Sequence, residues 1–428
     1  MRCGFVVKPA NGSIRSQAAN NTRIVTSTLQ DLIGSFTSHL LIVLIFTKIT
    51  RLYSLTFYSS NPASKALGGC VGGVRRFRRG GDGMNLFSLV KELERQKRNR
   101  LDLIVESSTL KAVPDELYGL KLAVPEYGEY PLTDWAHGQL ADKLGIPRKY
   151  YQRMMDSKKL RLLAENVNAW LSEDGRRLIR ILDGKIRAVL SDRYRMMDNY
   201  DLVFLALDEF KRKEMVEIYR IDLTETMLYL KAIDRTLADS VRDGDIVYGG
   251  LIIRNSEVGA SALRVEPFIL RKVCNNGLIL EHSLKRIHLG RQTLKIGEIE
   301  WSDETRILED RALWSKVRDI IRATFDRRIF QSWVEKLKES TKIEIKKPTK
   351  AVNNIVGHLG LSEEQKQKLL MHFSEPTKYG LINAITNLAS QTKNVDEQVR
   401  LEEFAGQILQ SPLKDFEDFY GGVEGGEG

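Results

Sequence analysis

The hydrophobic period of the chain changes near residue 304, and this change limits the folds open to it. Upstream, short segments of alternating apolar and polar residues follow one another with few helices between them. Short strands in such a succession indicate a mostly antiparallel sheet with helices on one side. The sequence therefore predicts an α+β domain over residues 84–303. Its predicted strands are 177–182, 185–190, 216–223, 226–234, 246–254, 263–273 and 293–301.

The strongest local signal is the dipeptide Asp183-Gly184 between the first two predicted strands. Two-residue loops of this composition are typical of type I′ turns, because both central residues need a positive φ. We therefore predict a β-hairpin over residues 177–190. A helix capped by Asp198 is predicted to follow it.

Downstream of residue 304 the apolar residues recur at helical spacing. This spacing predicts a helical module over residues 304–410, which begins with one helix of about ten turns from 304 to 337. Ser362 and Gln365 have the spacing of a capping box, and further helices are predicted at 379–390 and 395–410. Residues 411–428 are rich in Gly and acidic residues, and we expect a disordered tail there.

The formal net charge of +10 belongs almost entirely to the first 83 residues, which hold 11 Lys and Arg against two acidic residues. Residues 84–428 carry 55 basic and 54 acidic residues, a net charge of +1. Codons for residues 79–84 can contain a ribosome-binding sequence that precedes Met84. We therefore expect translation to start at Met84, and residues 1–83 to be a disordered, non-native upstream extension.

Membrane insertion and export have little support in the sequence. The uncharged window 32–47 is shorter than the roughly 20 apolar residues of a spanning helix, and it lies too far from the first residue for a secretory signal. From Met84 onward the chain has a single cysteine, Cys274. We therefore predict a cytoplasmic protein without a membrane partner.

Residues 134–156 have the pattern of two helices joined by a short turn. Ala141, Gly145 and Tyr151 occupy the positions at which a helix-turn-helix has its small residue, its turn glycine and a packing residue. The hypothesis is duplex DNA recognition by the second helix. The alternative, which we favour, is an ordinary helix pair that covers a sheet.

The sequence contains no Gly-x-x-x-x-Gly-Lys-Ser/Thr loop, no His-Glu-x-x-His motif, no dinucleotide-binding fingerprint and no Gly-x-Ser-x-Gly elbow. Cys274, His282 and His288 match no structural zinc spacing. We predict no metal, no cofactor and no catalytic residue. The sequence leaves open whether the protein is an enzyme, and we favour a non-catalytic protein.

A polar segment follows the strand predicted at 246–254, and a second one follows the strand predicted at 263–273. One interpretation is a hairpin with elaborate turn chemistry, and the other is a loop pair that presents functional groups at one edge of the sheet. The candidate loop residues are Asn255, Ser256, Glu257, Gly259, Ser261, Cys274, Asn276 and Gly277.

Four phrases of the sequence resemble the phage/plasmid-like protein family, a domain of unknown function found on mobile elements. They are residues 186–194, residues 255–264, residues 273–277, and residues 379–386 followed by 401–406. The resemblance spans about residues 120–409. It implies a mobile genetic element, where accessory proteins act in replication, recombination or defence, and it implies no catalytic residue.

Basic residues cluster in two regions of the predicted sheet domain. Residues 148–187 have a net charge of +6 and residues 264–295 a net charge of +5. Tyrosines among basic residues are typical of grooves that bind single strands, although acidic helices could equally balance these charges in space. The candidate nucleic-acid-binding residues are Arg148, Lys149, Tyr150, Tyr151, Arg153, Arg187, Arg193, Tyr194, Arg264, Arg271 and Lys272.

The sequence thus predicts a phage- or plasmid-type accessory protein that binds nucleic acid, with single strands favoured, in replication or recombination. The C-terminal helices would serve for packing or for assembly of a homo-oligomer. The alternatives are a duplex DNA binder that uses the helix pair, an enzyme that uses the loop at 255–261, and a non-catalytic protein that binds a host factor.

Overall fold

The computed structural model describes residues 84–172, 175–272, 276–280 and 303–421. All of them belong to one structural unit. The predicted upstream extension, the strand predicted at 293–301 and Cys274 lie outside these residues.

The described residues form an α+β fold, as the sequence predicts. Its strands are β1 (Arg100–Glu106), β2 (Lys111–Asp115), β3 (Gly119–Val124), β4 (Gly128–Pro131), β5 (Arg176–Leu182), β6 (Lys185–Ser191), β7 (Val216–Leu223), β8 (Leu228–Ser240), β9 (Ile246–Asn255), β10 (Arg264–Arg271) and β11 (Asn276–Ile279). The helices of the first half are α1 (Leu86–Asn99), α2 (Asp134–Lys143), α3 (Arg148–Asp156), α4 (Leu160–Leu171) and α5 (Asn199–Lys211). The remaining helices are α6 (Asp303–Thr324), α7 (Arg327–Ser340), α8 (Pro348–Leu359), α9 (Glu363–His372), α10 (Lys378–Gln391), α11 (Val395–Gln410) and α12 (Leu413–Phe416).

The strands form three antiparallel sheets. The largest has the order β11-β10-β9-β8-β7, and the two smaller sheets have the orders β1-β5-β6 and β2-β3-β4. In the large sheet each strand pairs with its neighbours in sequence, so that short turns connect most of them. This meander is the antiparallel arrangement that the strand pattern predicts.

Two large hydrophobic cores and two smaller clusters contain the buried apolar side chains of the described residues. The main core lies on one face of the five-stranded sheet and contains side chains of α1, α5 and the C-terminal helices, for example Leu89, Leu230 and Leu388. The second core lies between the two small sheets and α2, α3 and α4, and includes Leu140 and Ile179. The predicted helical module thus completes the core of the large sheet.

The predicted hairpin is confirmed. β5 and β6 pair antiparallel, with Leu182 opposite Lys185 across the turn. Asp183 has a φ of 53° and Gly184 a φ of 73°, as a type I′ turn requires. The Asp183 carboxylate accepts hydrogen bonds from Arg95 and Asn99, which attach the turn to α1.

Gly184→Val is expected to lower the free energy of unfolding by about 1 to 3 kcal/mol, because a β-branched residue is strained at a positive φ. No described atom lies within 4 Å of the position that a Cβ would take at Gly184, so that steric overlap adds nothing. Denaturant unfolding of Gly184→Val and Gly184→Asn measures the effect. Asn tolerates the left-handed region, and the turn assignment is contradicted if both variants unfold alike.

The long helix predicted over residues 304–337 is in fact two helices. α6 ends at Thr324, and Asp326 caps α7 by accepting a hydrogen bond from the Arg328 amide at 2.8 Å. Between them Phe325 is buried and packs edge-on against Phe210, with ring centroids 6.0 Å apart. The periodicity runs through this break because both helices present an apolar face to the same core. The predicted capping box of Ser362 and Gln365 is present.

Residues 413–421 are helical where the sequence predicts a disordered tail. Phe416 and Tyr420 are buried in the main core, and this apolar contact holds the segment in place. Asn354 donates a hydrogen bond to the Phe419 carbonyl at 2.6 Å, and the Lys378 ammonium donates one to the Ser411 carbonyl at 3.0 Å. Burial and the nearby charge of Lys336 lower the pKa of Lys378 to about 8.

Candidate functional site

The predicted helix pair at 134–156 consists of α2 and α3, joined by a short turn. Gly145 in this turn has a left-handed φ of 65°, which ends α2 and redirects the chain into α3. α2 packs on β6, and α4 packs on β2. The helices therefore cover the small sheets, as in the alternative that the sequence favours. One side of α3 and α4 is left facing outward.

Tyr151, a predicted nucleic-acid-binding residue, is part of the core. Its side chain is 3% exposed, and its hydroxyl lies 2.8 Å from Nδ1 of His137. Burial raises the pKa of Tyr151 and lowers that of His137. Tyr151 is therefore unavailable for base stacking, because its position in α3 points it at α2 rather than outward.

Five basic residues lie exposed along α3, α4 and the connection between them. Within the described residues, none of the five forms an ion pair with a carboxylate. They are Lys149, Arg153, Lys158, Lys159 and Arg161. Arg148, at the start of α3, differs from them because its guanidinium binds the Asp142 carboxylate, with 2.7 Å between Nε and Oδ1.

Exposed aromatic and apolar side chains occur on the same two helices as these cations. Tyr150 on α3 is 42% exposed, and its hydroxyl accepts a hydrogen bond from Asn166 of α4 at 3.1 Å. Leu162 and Trp170, 47% and 50% exposed, are each four residues from Asn166 and therefore lie on the same face of α4. We call these four residues and the five cations the α3–α4 surface.

Leu162 and Trp170 are absent from the sequence-based candidates, although the sequence carries a signal for them. The buried residues of α4 are Leu163, Ala164, Val167 and Leu171, which form one helical stripe. Leu162 and Trp170 fall outside that stripe, and large apolar residues off the buried face of an amphipathic helix are expected to be exposed.

The loop candidates Asn255 and Glu257 are buried and hydrogen-bonded. The Asn255 side-chain amide donates one hydrogen bond to the Met197 carbonyl at 2.7 Å and one to the side-chain oxygen of Asn199 at 2.9 Å. The Glu257 carboxylate accepts hydrogen bonds from the Arg187 guanidinium at 2.7 Å and from the backbone N–H of Asn199 at 2.6 Å. These contacts join the loop to β6 and to the start of α5.

The rest of the loop packs against α2 and β6. The Val258 carbonyl accepts hydrogen bonds from the side chains of Trp135 at 3.0 Å and Gln139 at 2.7 Å. Gly259 has a φ of 75°, and a Cβ there would lie 2.7 Å from the Leu190 side chain. The hydroxyl of Ser256 accepts a hydrogen bond from the Ala260 amide, and that of Ser261 donates to the Ala262 carbonyl. The loop is therefore a packed connection between the large sheet and the small ones.

Arg180 lies at the centre of this connection, and the sequence gives no sign of its role. Its side chain is 2% exposed. It donates two hydrogen bonds of 2.9 Å to the Asp102 carboxylate, one of 2.8 Å to Asp198 and one of 2.9 Å to the Glu257 carbonyl. Arg100 forms a second ion pair with Asp198. We call this cluster the Arg180 junction.

Most of the basic candidates on the sheets are committed to internal contacts. Arg264 donates to Glu403 at 3.1 Å, and Arg271 binds the Asp245 carboxylate at 2.6 and 2.7 Å. The Tyr194 hydroxyl donates to the Ser256 carbonyl at 2.9 Å. Lys272 and Arg193 are exposed. Of the three basic residues that the structure describes in the basic stretch that includes β10, Arg264 and Arg271 are therefore paired with carboxylates, and those carboxylates come from distant parts of the chain.

Asn276 and Gly277 lie on β11 beneath α11. A Cβ at Gly277 would overlap with the Phe268 ring and lie 3.0 Å from the Glu402 carboxylate, which forms two hydrogen bonds, of 2.6 and 2.8 Å, with the Lys231 ammonium. Lys231, Glu402 and Asn276 are all buried. Gly277 therefore leaves room for the Phe268 ring and for the carboxylate of this ion pair.

Comparison with protein families, with curated proteins and with solved structures gives no match for this chain. The resemblance to the phage/plasmid-like family stays a prediction. Among the described residues, no three or more His, Cys, Asp or Glu side chains are grouped so as to hold a metal ion. In the same part of the chain, no helix has both the length and the apolar character needed to cross a bilayer.

Proposed function

We propose that this protein binds nucleic acid, with single strands favoured, through the α3–α4 surface. The supporting observation is that α3, α4 and their connection carry five exposed cations without an ion pair to any described carboxylate, together with exposed Tyr150 and Trp170. The resemblance to a mobile-element family favours a role in replication or recombination in the cytoplasm. The interface differs from the sheet-and-loop region that the sequence favours, since Arg187, Arg264 and Arg271 of that region form ion pairs within the protein.

The two kinds of side chain on this surface match the two parts of a single strand. Lysines and arginines without a carboxylate partner keep their full attraction for phosphates and release counterions when they bind. Tyr150 and Trp170 provide flat apolar faces on which unpaired bases stack, in any sequence. In a duplex the bases are already stacked on each other, so that the aromatic side chains favour a single strand.

A second candidate function is duplex DNA binding by α3. Gly145 is left-handed, Tyr151 is buried against α2, and the first half of α3 exposes Arg148, Lys149 and Gln152. A recognition helix presents its N-terminal residues to the major groove in this way.

Fluorescence anisotropy with single- and double-stranded DNA and RNA across a salt series tests the proposal. We expect the tightest binding to a single strand, and a log affinity that falls linearly with log salt. Replacing Lys149 and Arg153 together by Gln should lower the slope by about 0.7 for each phosphate that is no longer bound. Replacing Tyr150 and Trp170 by Leu should weaken binding by about 1 to 3 kcal/mol per stacked base and leave the slope unchanged.

The matched control replaces Arg328 and Lys342, exposed cations of α7 and the segment after it, by Gln. It removes the same two charges, and the slope should stay that of the parent protein. Preference for a duplex would favour the recognition-helix alternative. Absence of binding to all four nucleic acids at low salt, where electrostatic attraction is strongest, would overturn both.

A further inference from the structure

A polar cleft of about 280 Å³ lies where the β8–β9 turn and the end of β10 meet α9 and α10. Its volume is close to the lower limit of ligand sites, about 300 Å³. Neither the loop at 255–261 nor the α3–α4 surface contributes to its lining. The polar side chains that matter for its chemistry are Arg242, Arg271, His372, Glu375, Asn383 and Asn387.

The charges at this cleft balance each other. Arg271 forms a two-bond ion pair with buried Asp245, at 2.6 and 2.7 Å, and the Tyr379 hydroxyl donates a third hydrogen bond to that carboxylate at 2.6 Å. Arg242 lies 2.9 Å from Glu375. Two cations thus face two carboxylates in a wall that is already hydrogen-bonded. A neutral polar ligand suits this wall better than an ion, which would have to break one of the pairs.

The hydrogen-bonding groups of the cleft come from one face of α10 and the end of α9. Asn383 and Asn387 are four residues apart and therefore lie one above the other on α10. Asn387 Nδ2 is 3.3 Å from Nδ1 of His372, whose Nε2 is 2.9 Å from Gln391. The Asn387 oxygen also accepts a hydrogen bond from Gln391 at 3.4 Å. Because a carboxamide has two donor hydrogens and two acceptor lone pairs, the pair keeps donor and acceptor capacity for a ligand.

We infer that this cleft binds a nucleobase, either of a free nucleoside or of a strand. Paired donors and acceptors are what carboxamides use to bind the edges of bases, and a neutral heterocycle suits both the charge balance and the volume. Arg242 adds a half-exposed guanidinium, whose Cζ atom lies 5.4 Å from the centre of the Tyr379 ring. Bases stack on such guanidinium planes. The inference is independent of the α3–α4 surface, because none of its residues line the cleft.

Isothermal titration of the full chain with adenosine, guanosine, cytidine and uridine tests this inference, with ribose as the comparison. We expect saturable one-to-one binding of at least one nucleoside and none of ribose. Asn387→Leu should weaken that binding by about tenfold or more, as removal of a bidentate pair of hydrogen bonds to a base does. Ser374→Trp, a change at an exposed residue of the cleft, should block it without altering the thermal unfolding temperature.

The matched control is Asn353→Leu, the same replacement at an exposed position of α8, which should bind as the parent does. Displacement of the nucleoside by a single-stranded oligonucleotide would identify a base of a strand as the occupant, and simultaneous binding would identify a free nucleoside. The inference is overturned if no nucleoside binds, if ribose binds equally well, or if both cleft variants bind like the parent.

Discussion

Arg180→Met is expected to lower the free energy of unfolding by about 3 to 5 kcal/mol, the range seen when one partner of a buried ion pair is removed. Methionine fills most of the arginine volume but leaves Asp102 and Asp198 facing each other without their shared cation. It also removes the donor to the Glu257 carbonyl. The midpoint and slope of urea unfolding, measured at neutral pH, give the change.

Arg328→Met, the same replacement at an exposed position of α7, serves as the control and should leave the midpoint unchanged. The dependence of the free energy of unfolding on pH provides a further check. Burial raises the pKa of Asp198, but the charges of Arg180 and Arg100 outweigh burial and hold it below its usual range. The stabilisation from this carboxylate is therefore present above about pH 4 and is lost as the pH falls further, where parent and variant should converge. An equal deficit at every pH would contradict the role assigned to Asp198.

Glu402→Gln should have an effect of similar size, about 3 to 5 kcal/mol, because it leaves the ammonium of Lys231 buried without a counter-charge. Chemical denaturation again measures the loss. The double variant Lys231→Met, Glu402→Leu should recover much of it, since replacing a buried ion pair by apolar residues of similar volume is often neutral.

Glu363→Gln, on the exposed side of α9, is the control for this charge removal and should unfold like the parent. If the double variant is no more stable than Glu402→Gln, the loss comes from altered packing of α11 on β11 and not from the unpaired charge. A loss no greater than that of the control would mean that burying Lys231 without a counter-charge costs little free energy of unfolding.

The parts of the fold that the sequence predicts correctly are those specified by neighbouring residues. Asp183-Gly184 determines its own turn, and Ser362 and Gln365 bond each other's backbone amides within a single helical turn. β1 to β4 are absent from the prediction. They are four to seven residues long, and β1 pairs with β5, so that Arg100 lies opposite Leu182. The β1–β5 pairing depends on contacts between distant segments, which a short window does not contain. β2, β3 and β4 pair with their neighbours in sequence, but with four to six residues each they are too short to show a clear period.

Sequence-based prediction meets the same limit for the charges of the candidate interface. The sequence locates every arginine but not its partner: Glu403, the partner of Arg264, lies 139 residues away along the chain. Local helical spacing, by contrast, is enough to place Trp170 outside the buried stripe of α4. Exposure on a helix is thus predictable from a few turns of sequence, whereas charge balance on a sheet depends on which distant segments fold over it.

The division into two cores also bears on how such a chain can change over evolution. α1 and α5 belong to the main core, and everything between them, from Arg100 to Ser191, builds the two small sheets and the helices that cover them. This segment leaves and rejoins the main core at adjacent points, since Arg100 pairs with Asp198. It has the topology of an insertion, and insertions with neighbouring ends can be lengthened, exchanged or diversified while the host core keeps its contacts. The residues on the outward face of α3 and α4 can therefore change under few constraints from the large sheet.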